Sequence, residues 1–250
     1  MRFRFADLLL FALLFIFINA FPVDLITKDE LIRLLIRIGL RLLLLGYDIY
    51  VIWRNRINIF KFANYRNVGL FLPFILICFS NIIAASIAGS HFEANVNPEM
   101  LSLTIIYFLL GAILEEFLFR FFIQNSLNNV SSIKRIFGSA AIFALFHLIN
   151  IVNISQVSQL ISVLIQVVYA FGLGLLLALV YEYTYSLPAC IIFHFLFNFF
   201  NTIMVENIFH LAIPDAYYYL TAVVLGVIVG IYALLIYLQV LKRNDRYFRK

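Results

Sequence analysis

Eight apolar runs divide the chain, at roughly residues 5–23, 31–53, 67–88, 101–123, 133–152, 157–181, 187–205 and 216–241. Polar or charged stretches separate them. A helix needs about 20 apolar residues to cross the hydrocarbon core of a bilayer, and each run is near that length. Open strands in lipid would leave backbone N–H and C=O groups unpaired, so every run is expected to be helical. The pattern predicts an all-α, polytopic membrane helix bundle of about eight transmembrane helices, in one domain over residues 1–250. No long linker, low-complexity tract or internal repeat interrupts it.

Composition agrees: 64% of residues are hydrophobic and 12% charged, against about 45–50% and about 25% in a soluble domain. The net charge of +5 does not point to nucleic acid, because the charges sit between the runs and at the C-terminus. Alternating the connections tests the positive-inside rule. One set holds Arg2, Arg4, Arg54, Arg56, Lys61, Arg66, Lys134, Arg135, Lys242, Arg243, Arg246, Arg249 and Lys250. The opposite set holds Lys28 and otherwise the acids Asp24, Asp29, Glu30, Glu93, Glu99, Glu206 and Asp215. Both termini are therefore expected on the cytoplasmic side of the cell membrane. Arg2 and Arg4 ahead of Leu8–Val23 resemble a secretory signal, but Asn19-Ala-Phe-Pro22 is a poor cleavage site, so an uncleaved first span is expected. Cys78 and Cys190 lie in different apolar runs and read as small buried hydrophobes.

Against this apolar background a few polar residues stand out. Glu115-Glu116-Phe-Leu-Phe-Arg120 lies inside the fourth run. Charged groups at membrane depth cost at least about 2.5 kcal/mol each, and such residues usually face a bundle interior or a wet cavity. Glu115 and Glu116 are neighbours, pointing about 100° apart around a helix. Glu116 and Arg120 are four apart with the acid first, the favourable order for a helical ion pair. Glu116 is expected to brace Arg120, and Glu115 to face elsewhere, free to bind a water as a general base. Phe143 and His147 share a face on the fifth run, and His194 and Asn198 share one on the seventh. Adjacent imidazole and carboxamide donors can hold the oxyanion of a tetrahedral intermediate. Equally, the two histidines, Asn198 and a glutamate can ligate a divalent metal such as zinc. No HExxH motif is present. On these boundaries Glu115 lies near mid-span, His194 nearer the cytoplasm and His147 nearer the outside. Convergence then requires shifted helix ends, or tilts and kinks around a cavity.

Glu-Glu-x-x-x-Arg, Phe-x-x-x-His and His-x-x-x-Asn, in this order on successive apolar helices, resemble the CAAX protease and bacteriocin-processing (CPBP, or Abi) family, which includes the type II CAAX prenyl endopeptidases. The resemblance spans about residues 101–206, and Phe171-Gly-Leu-Gly and Ser186-Leu-Pro188 also look like that family. It implies an eight-helix intramembrane protease in which Glu115 activates water and His147 orients and polarises it. His194 and Asn198 would line the oxyanion site, with Glu116 and Arg120 in support. The family has been described both as metalloproteases and as metal-free glutamate enzymes. Metal-free chemistry is favoured here, because a catalytic zinc wants three firm protein ligands and Asn is a poor one. Phe121 departs from the glycine that many members carry after the arginine.

The expected partners are the lipid bilayer and a peptide or protein substrate that is membrane-associated or a leader. The Ile-, Phe- and Asn-rich composition points to an AT-rich genome of the kind found in many bacteria, which generally lack CAAX prenylation. Peptide maturation or bacteriocin self-immunity is thus preferred to prenyl-protein processing. Two other classes compete: a catalytically inactive membrane scaffold, and a proton-coupled transporter using Glu115 and Glu116. The missing internal repeat and the absence of a Gly/Pro-broken helix pair speak against the transporter.

Among the remaining features, Arg33, Arg37 and Arg41 form a stripe at spacing four, with Asp48 roughly on the same face. The stripe reads as cations that snorkel to a headgroup layer or pair inside the bundle, rather than as a voltage sensor. Gly226-x-x-x-Gly230 allows close helix approach, expected within the monomer. His91 and His210 read as surface residues, and Glu182 as a loop acid between the sixth and seventh spans.

Overall fold

A computed structural model describes residues 5–57, 69, 71–154, 156–211, 213 and 215–238. Arg2, Arg4, Lys61, Arg66, Lys242, Arg243, Arg246, Arg249 and Lys250 lie outside the described residues, as do the first residues of the third run and the last of the eighth. All regular elements among the described residues are helical: α1 (Phe5–Ala20), α2 (Glu30–Arg54), α3 (Phe74–Ile77), α4 (Ser80–Ile87), α5 (Pro98–Glu116), α6 (Ser132–Phe146), α7 (Val157–Thr184), α8 (Leu187–Asn198) and α9 (Asp215–Ile236). Two of them run on without a break as π-helix: α5 through Phe117–Gln124 and α8 through Phe199–Ile208. A 3₁₀ segment, His147–Asn153, continues α6.

Among the described residues, five helices are long and apolar enough to cross a membrane: Pro98–Gln124, Ser132–Val152, Val157–Thr184, Leu187–Ile208 and Ala216–Ile236. The chain is a multi-pass helical membrane protein. The other three expected spans differ. The α1 helix covers 16 of the described residues. The longer α2 carries its arginines and Asp48 along 25 residues. The third run is not one continuous helix: it breaks between α3 and α4. Asn201 reaches across from the π segment after α8 to cover that break. Its Oδ1 accepts hydrogen bonds from Ser80 Oγ (2.9 Å) and the Asn81 backbone N–H (3.1 Å), and Asn81 Nδ2 donates to its carbonyl (3.0 Å). Irregular backbone at membrane depth is tolerated where neighbours satisfy it in this way.

Helix starts follow local chemistry. Asn97 caps α5, accepting from the N–H groups of Glu99 and Met100, with Pro98 in the first turn. That turn needs no N–H from proline and favours an acid. Asp29 caps α2 by accepting from Ile32 N–H. Between α7 and α8 the chain turns on two residues. Tyr185 is left-handed at φ 52°, and Ser186 accepts from Ala189 N–H to open α8. This tight reversal fixes His194 a short way along α8.

α7 is the central element, packed on α6 and α9, with nearly every residue from Gly172 to Glu182 buried. Lipid supplies no hydrophobic drive between helices, so close packing and buried polar contacts hold them. Gly226 of α9 packs against Gly172: a Cβ placed on Gly172 would stand 2.6 Å from the Gly226 carbonyl oxygen. The close approach expected of the glycine pair is thus within the chain at Gly226, whereas Gly230 has open space around its Cβ position.

Glu182 corrects the reading of a loop acid. It is buried in the last turns of α7, ion-paired to Arg135 of α6 and accepting from Gln124 Nε2 (3.3 Å). The apolar run ends before Glu182, but the helix does not, so hydropathy drew the boundary too early. At the same end of the bundle, buried Asp7 of α1 pairs with Arg54 of α2 at 2.5 Å. At the opposite end Asp24 accepts from Arg33 at 2.9 Å, which holds its carboxyl below the ordinary aspartate range. His91 and His210 are exposed, as expected.

Candidate active site

Glu115 and Glu116 are the last two residues of α5 before the backbone widens into π-helix. All eight residues of that π segment are buried, Arg120 among them. Arg120 Nε donates to Glu116 Oε2 at 2.9 Å, the pair expected from their spacing. Arg120 Nη1 donates to Ser139 Oγ (2.9 Å), which in turn donates to the Phe119 carbonyl (3.0 Å). Both ions are fully buried. Removing one partner of such a pair costs about 3–5 kcal/mol, because the other charge is left without compensation.

The other carboxylate oxygen of Glu116 makes a contact that spacing does not reveal. His194 Nδ1 donates to Glu116 Oε1 at 2.9 Å. Glu116 is therefore clamped between Arg120 on its own helix and His194 on α8. His194 Nε2 is turned toward Glu115, 3.8 Å from Oε2. His147, at the start of the 3₁₀ segment, is held likewise: its Nδ1 donates to the Phe143 carbonyl at 2.9 Å, which leaves Nε2 free. Engaging one ring nitrogen fixes both tautomer and ring orientation.

Phe143 stands between these groups. Its ring meets His147 edge-on (centroids 5.0 Å apart) and His194 likewise (5.8 Å), and the Arg120 guanidinium carbon is 5.2 Å from its centroid. Sequence reading placed Phe143 beside His147 on one helical face but gave it no role. The spacing of four was the available signal.

Glu115, His147, His194 and Asn198 line one cavity of about 260 Å³. The predicted depth mismatch resolves within it. The four side chains converge on this one space although the apolar runs place them at different depths. All six expected residues are brought together, in two roles: Glu115, His147, His194 and Asn198 face the space, while Glu116 and Arg120 lie behind it. The same space is lined by Asn19, Arg41, Tyr107, Asn150 and Gln166, which sequence reading did not assign to the site. Of these only Arg41 carried a signal, as the innermost member of the arginine stripe. Asn198 also borders a second cavity of about 210 Å³ that reaches Glu206 and Tyr218.

A zinc site gathers three protein ligands around one point. The two imidazoles present suitable free Nε2 atoms, since a ligating histidine usually donates its other N–H to a carboxylate or carbonyl. Yet among the described residues no three His, Cys, Asp or Glu side chains gather closely enough to hold an ion. The residues as placed do not fit a preformed zinc site.

Residues 97–200 match the sequence profile of a family described as type II CAAX prenyl endopeptidase Rce1-like. No curated protein and no solved structure matches the chain.

Proposed function

We propose that this chain, a member through residues 97–200 of the Rce1-like CAAX protease family, is an intramembrane endopeptidase that hydrolyses its substrate with a glutamate-activated water. The observation that carries the reading is the division of labour between the two glutamates. Glu116 is committed to Arg120 and His194, while Glu115 faces the cavity with no such commitment.

The gap of 3.8 Å between Glu115 Oε2 and His194 Nε2 supports holding one water between them. Glu115 takes a proton from that water as its oxygen adds to the scissile carbonyl carbon. Negative charge develops on the carbonyl oxygen, where an Asn198 Nδ2–H is suited to donate. The C–N bond then breaks, and the proton held by Glu115 passes to the leaving amine. His194 acts at the water in this scheme rather than at the oxyanion, because its Nδ1 proton already goes to Glu116. The water's two protons go to Glu115 and to one imidazole, and the free Nε2 of His147 is the alternative acceptor to that of His194. Arg120 and Glu116 touch neither water nor substrate; they are positioning residues that set the His194 ring. No step runs through a metal, since the ligand spacing does not favour one.

The substrate is proposed to be a membrane-associated or leader peptide, with maturation or self-immunity favoured over prenylated tails. Purified protein in detergent, given a quenched-fluorescence peptide library, tests the scheme. Wild type should cleave with and without chelator, and Glu115→Gln and His194→Ala should each lose cleavage. Cleavage abolished by chelator and restored by zinc would move these residues into a metal site. A folded wild type that cleaves nothing in the library would favour the scaffold reading.

A further inference from the structure

The reaction described above does not use the arginine stripe of α2, and the stripe is not uniform. Arg33 pairs with Asp24 and Glu30, and Arg37 lies 3.7 Å from Asp24. Arg41 has no carboxylate at ion-pair distance among the described residues. Its Nη1 donates to the Tyr107 carbonyl at 2.5 Å, and its guanidinium lies 3.6 Å above the centroid of the Tyr107 ring. An arginine carries five N–H donors, so most of those on Arg41 are left to the space it lines. That space is the cavity of Glu115.

The wall opposite is shaped to admit this cation. Gly111 lies in the middle of α5, where glycine costs about 1 kcal/mol relative to alanine. A Cβ built there would stand 2.7 Å from Arg41 Nη1 and 3.3 Å from Cζ. Glycine is what lets the guanidinium reach the cavity. Beyond Arg41 a smaller space of about 150 Å³ continues the passage. It shares Asn19, Arg41, Tyr107 and Asn150 with the first and ends at Arg37, and no acid lines it. A passage that runs from Glu115 past the guanidinium of Arg41, whose charge no carboxylate meets at ion-pair distance among the described residues, is built to receive negative charge.

We infer that Arg41, with Arg37 behind it, is an anion subsite of the Glu115 cavity and holds a carboxylate of the peptide substrate close to the bond that is cut. The inference rests on the peptidase reading and gives that site its substrate class. A guanidinium with one face on an aromatic ring presents its free edge as a planar fork, which matches a carboxylate in a way that a lysine would not. The carboxylate has two possible sources, a free C-terminus just beyond the cut or an Asp or Glu side chain beside it.

Matched peptides test the inference and separate the sources. Sequences from the quenched library are made with a C-terminal acid or amide, and with Glu or Gln beside the cut. Wild type should favour the carboxylate form by at least tenfold in kcat/KM, and whichever pair shows the ratio names the source. In Arg41→Gln the ratio should fall toward one. Arg41→Lys and Gly111→Ala should lower it in part, the first keeping charge without the fork and the second displacing the guanidinium. A ratio near one in wild type, or one unchanged in Arg41→Gln, overturns the inference.

Binding of the same peptides to Glu115→Gln protein, read by fluorescence anisotropy, needs no catalysis. The acid form should bind at least tenfold more tightly than the amide, and this difference should vanish once Arg41→Gln is added. Should wild type cleave nothing, the peptidase reading falls, and equal binding of acid and amide pools would overturn the subsite as well. Phosphatidylglycerol in the micelles that displaces the acid peptides, only where Arg41 is present, would reassign the subsite to a lipid phosphate.

Discussion

At the scale of single residues, the two adjacent glutamates carry different loads, and substitution should separate them. Glu115→Gln keeps size and polarity at a position that faces open space. It is expected to reduce hydrolysis by at least about 10²-fold, the contribution of a positioned general base, and to leave the melting temperature in detergent unchanged. Glu116→Gln removes the charge between Arg120 and His194. It should cost about 3–5 kcal/mol as a broken buried pair and be seen as a lower melting temperature together with lost activity. If both variants melted like wild type, the clamp around Glu116 would not be bearing on the fold. Much of this was legible beforehand. Spacing of four announces the Glu116–Arg120 pair, and polar residues in apolar runs announce His147, His194 and Asn198. The bond from His194 to Glu116 was not legible, because it joins residues 78 apart on helices whose relative rotation no local pattern encodes. Arg41 was visible only as part of a stripe, and its separation from Arg33 and Arg37 depends on which of the three meets an acid.

At the scale of elements, the informative departures are places where the backbone leaves the α-helix. Apolar periodicity predicts that a run is helical and roughly where it ends, but it carries no signature for the π segments after Glu116 and Asn198. Both occur directly beyond site residues, in keeping with the frequent placement of π geometry at functional sites. The break between α3 and α4 escaped notice for a related reason: its backbone is satisfied by Asn201, a residue more than a hundred positions away. Replacing Asn201 with leucine removes the acceptor of the half-buried Ser80 and Asn81 donors, a loss of about 0.5–1.5 kcal/mol for each bond, and should be seen as faster hydrogen exchange confined to α4. The seam between α7 and α9 makes a sharper prediction. Gly172→Ala drives a methyl group into the Gly226 backbone and should destabilise by about 1–3 kcal/mol, as overpacked cores do. Gly230→Ala, with open space around it, should be neutral or slightly stabilising. Equal melting temperatures for the two variants would contradict the packing described.

On the scale of the whole molecule, orientation is the expectation with the most direct test. Cys78 and Cys190 are buried, so a cysteine introduced at an exposed position reports on its own side of the membrane. His91→Cys should react with an impermeant maleimide from outside intact cells, and Asn128→Cys only after lysis. The reverse result would invert the bundle and place Arg41 nearer the cytoplasm. The general plan of a helical membrane bundle was read correctly, because lipid allows few alternatives. Five of the eight expected crossings are long apolar helices among the described residues; hydropathy, which sums side chains, carries no sign of the break in the third run. One consequence concerns the electric field across the bilayer. Glu115, Glu116, Arg41 and Arg120 are two acids and two bases, so with neutral imidazoles the site bears no formal net charge. Moving one elementary charge through 100 mV is worth about 2.3 kcal/mol. A balanced site gives the field little to pull on, so its internal geometry should hold whether the membrane is energised or collapsed. Arg41→Gln would leave one uncompensated negative charge, and peptide cleavage by that variant in vesicles is expected to respond to membrane potential where cleavage by the natural chain does not.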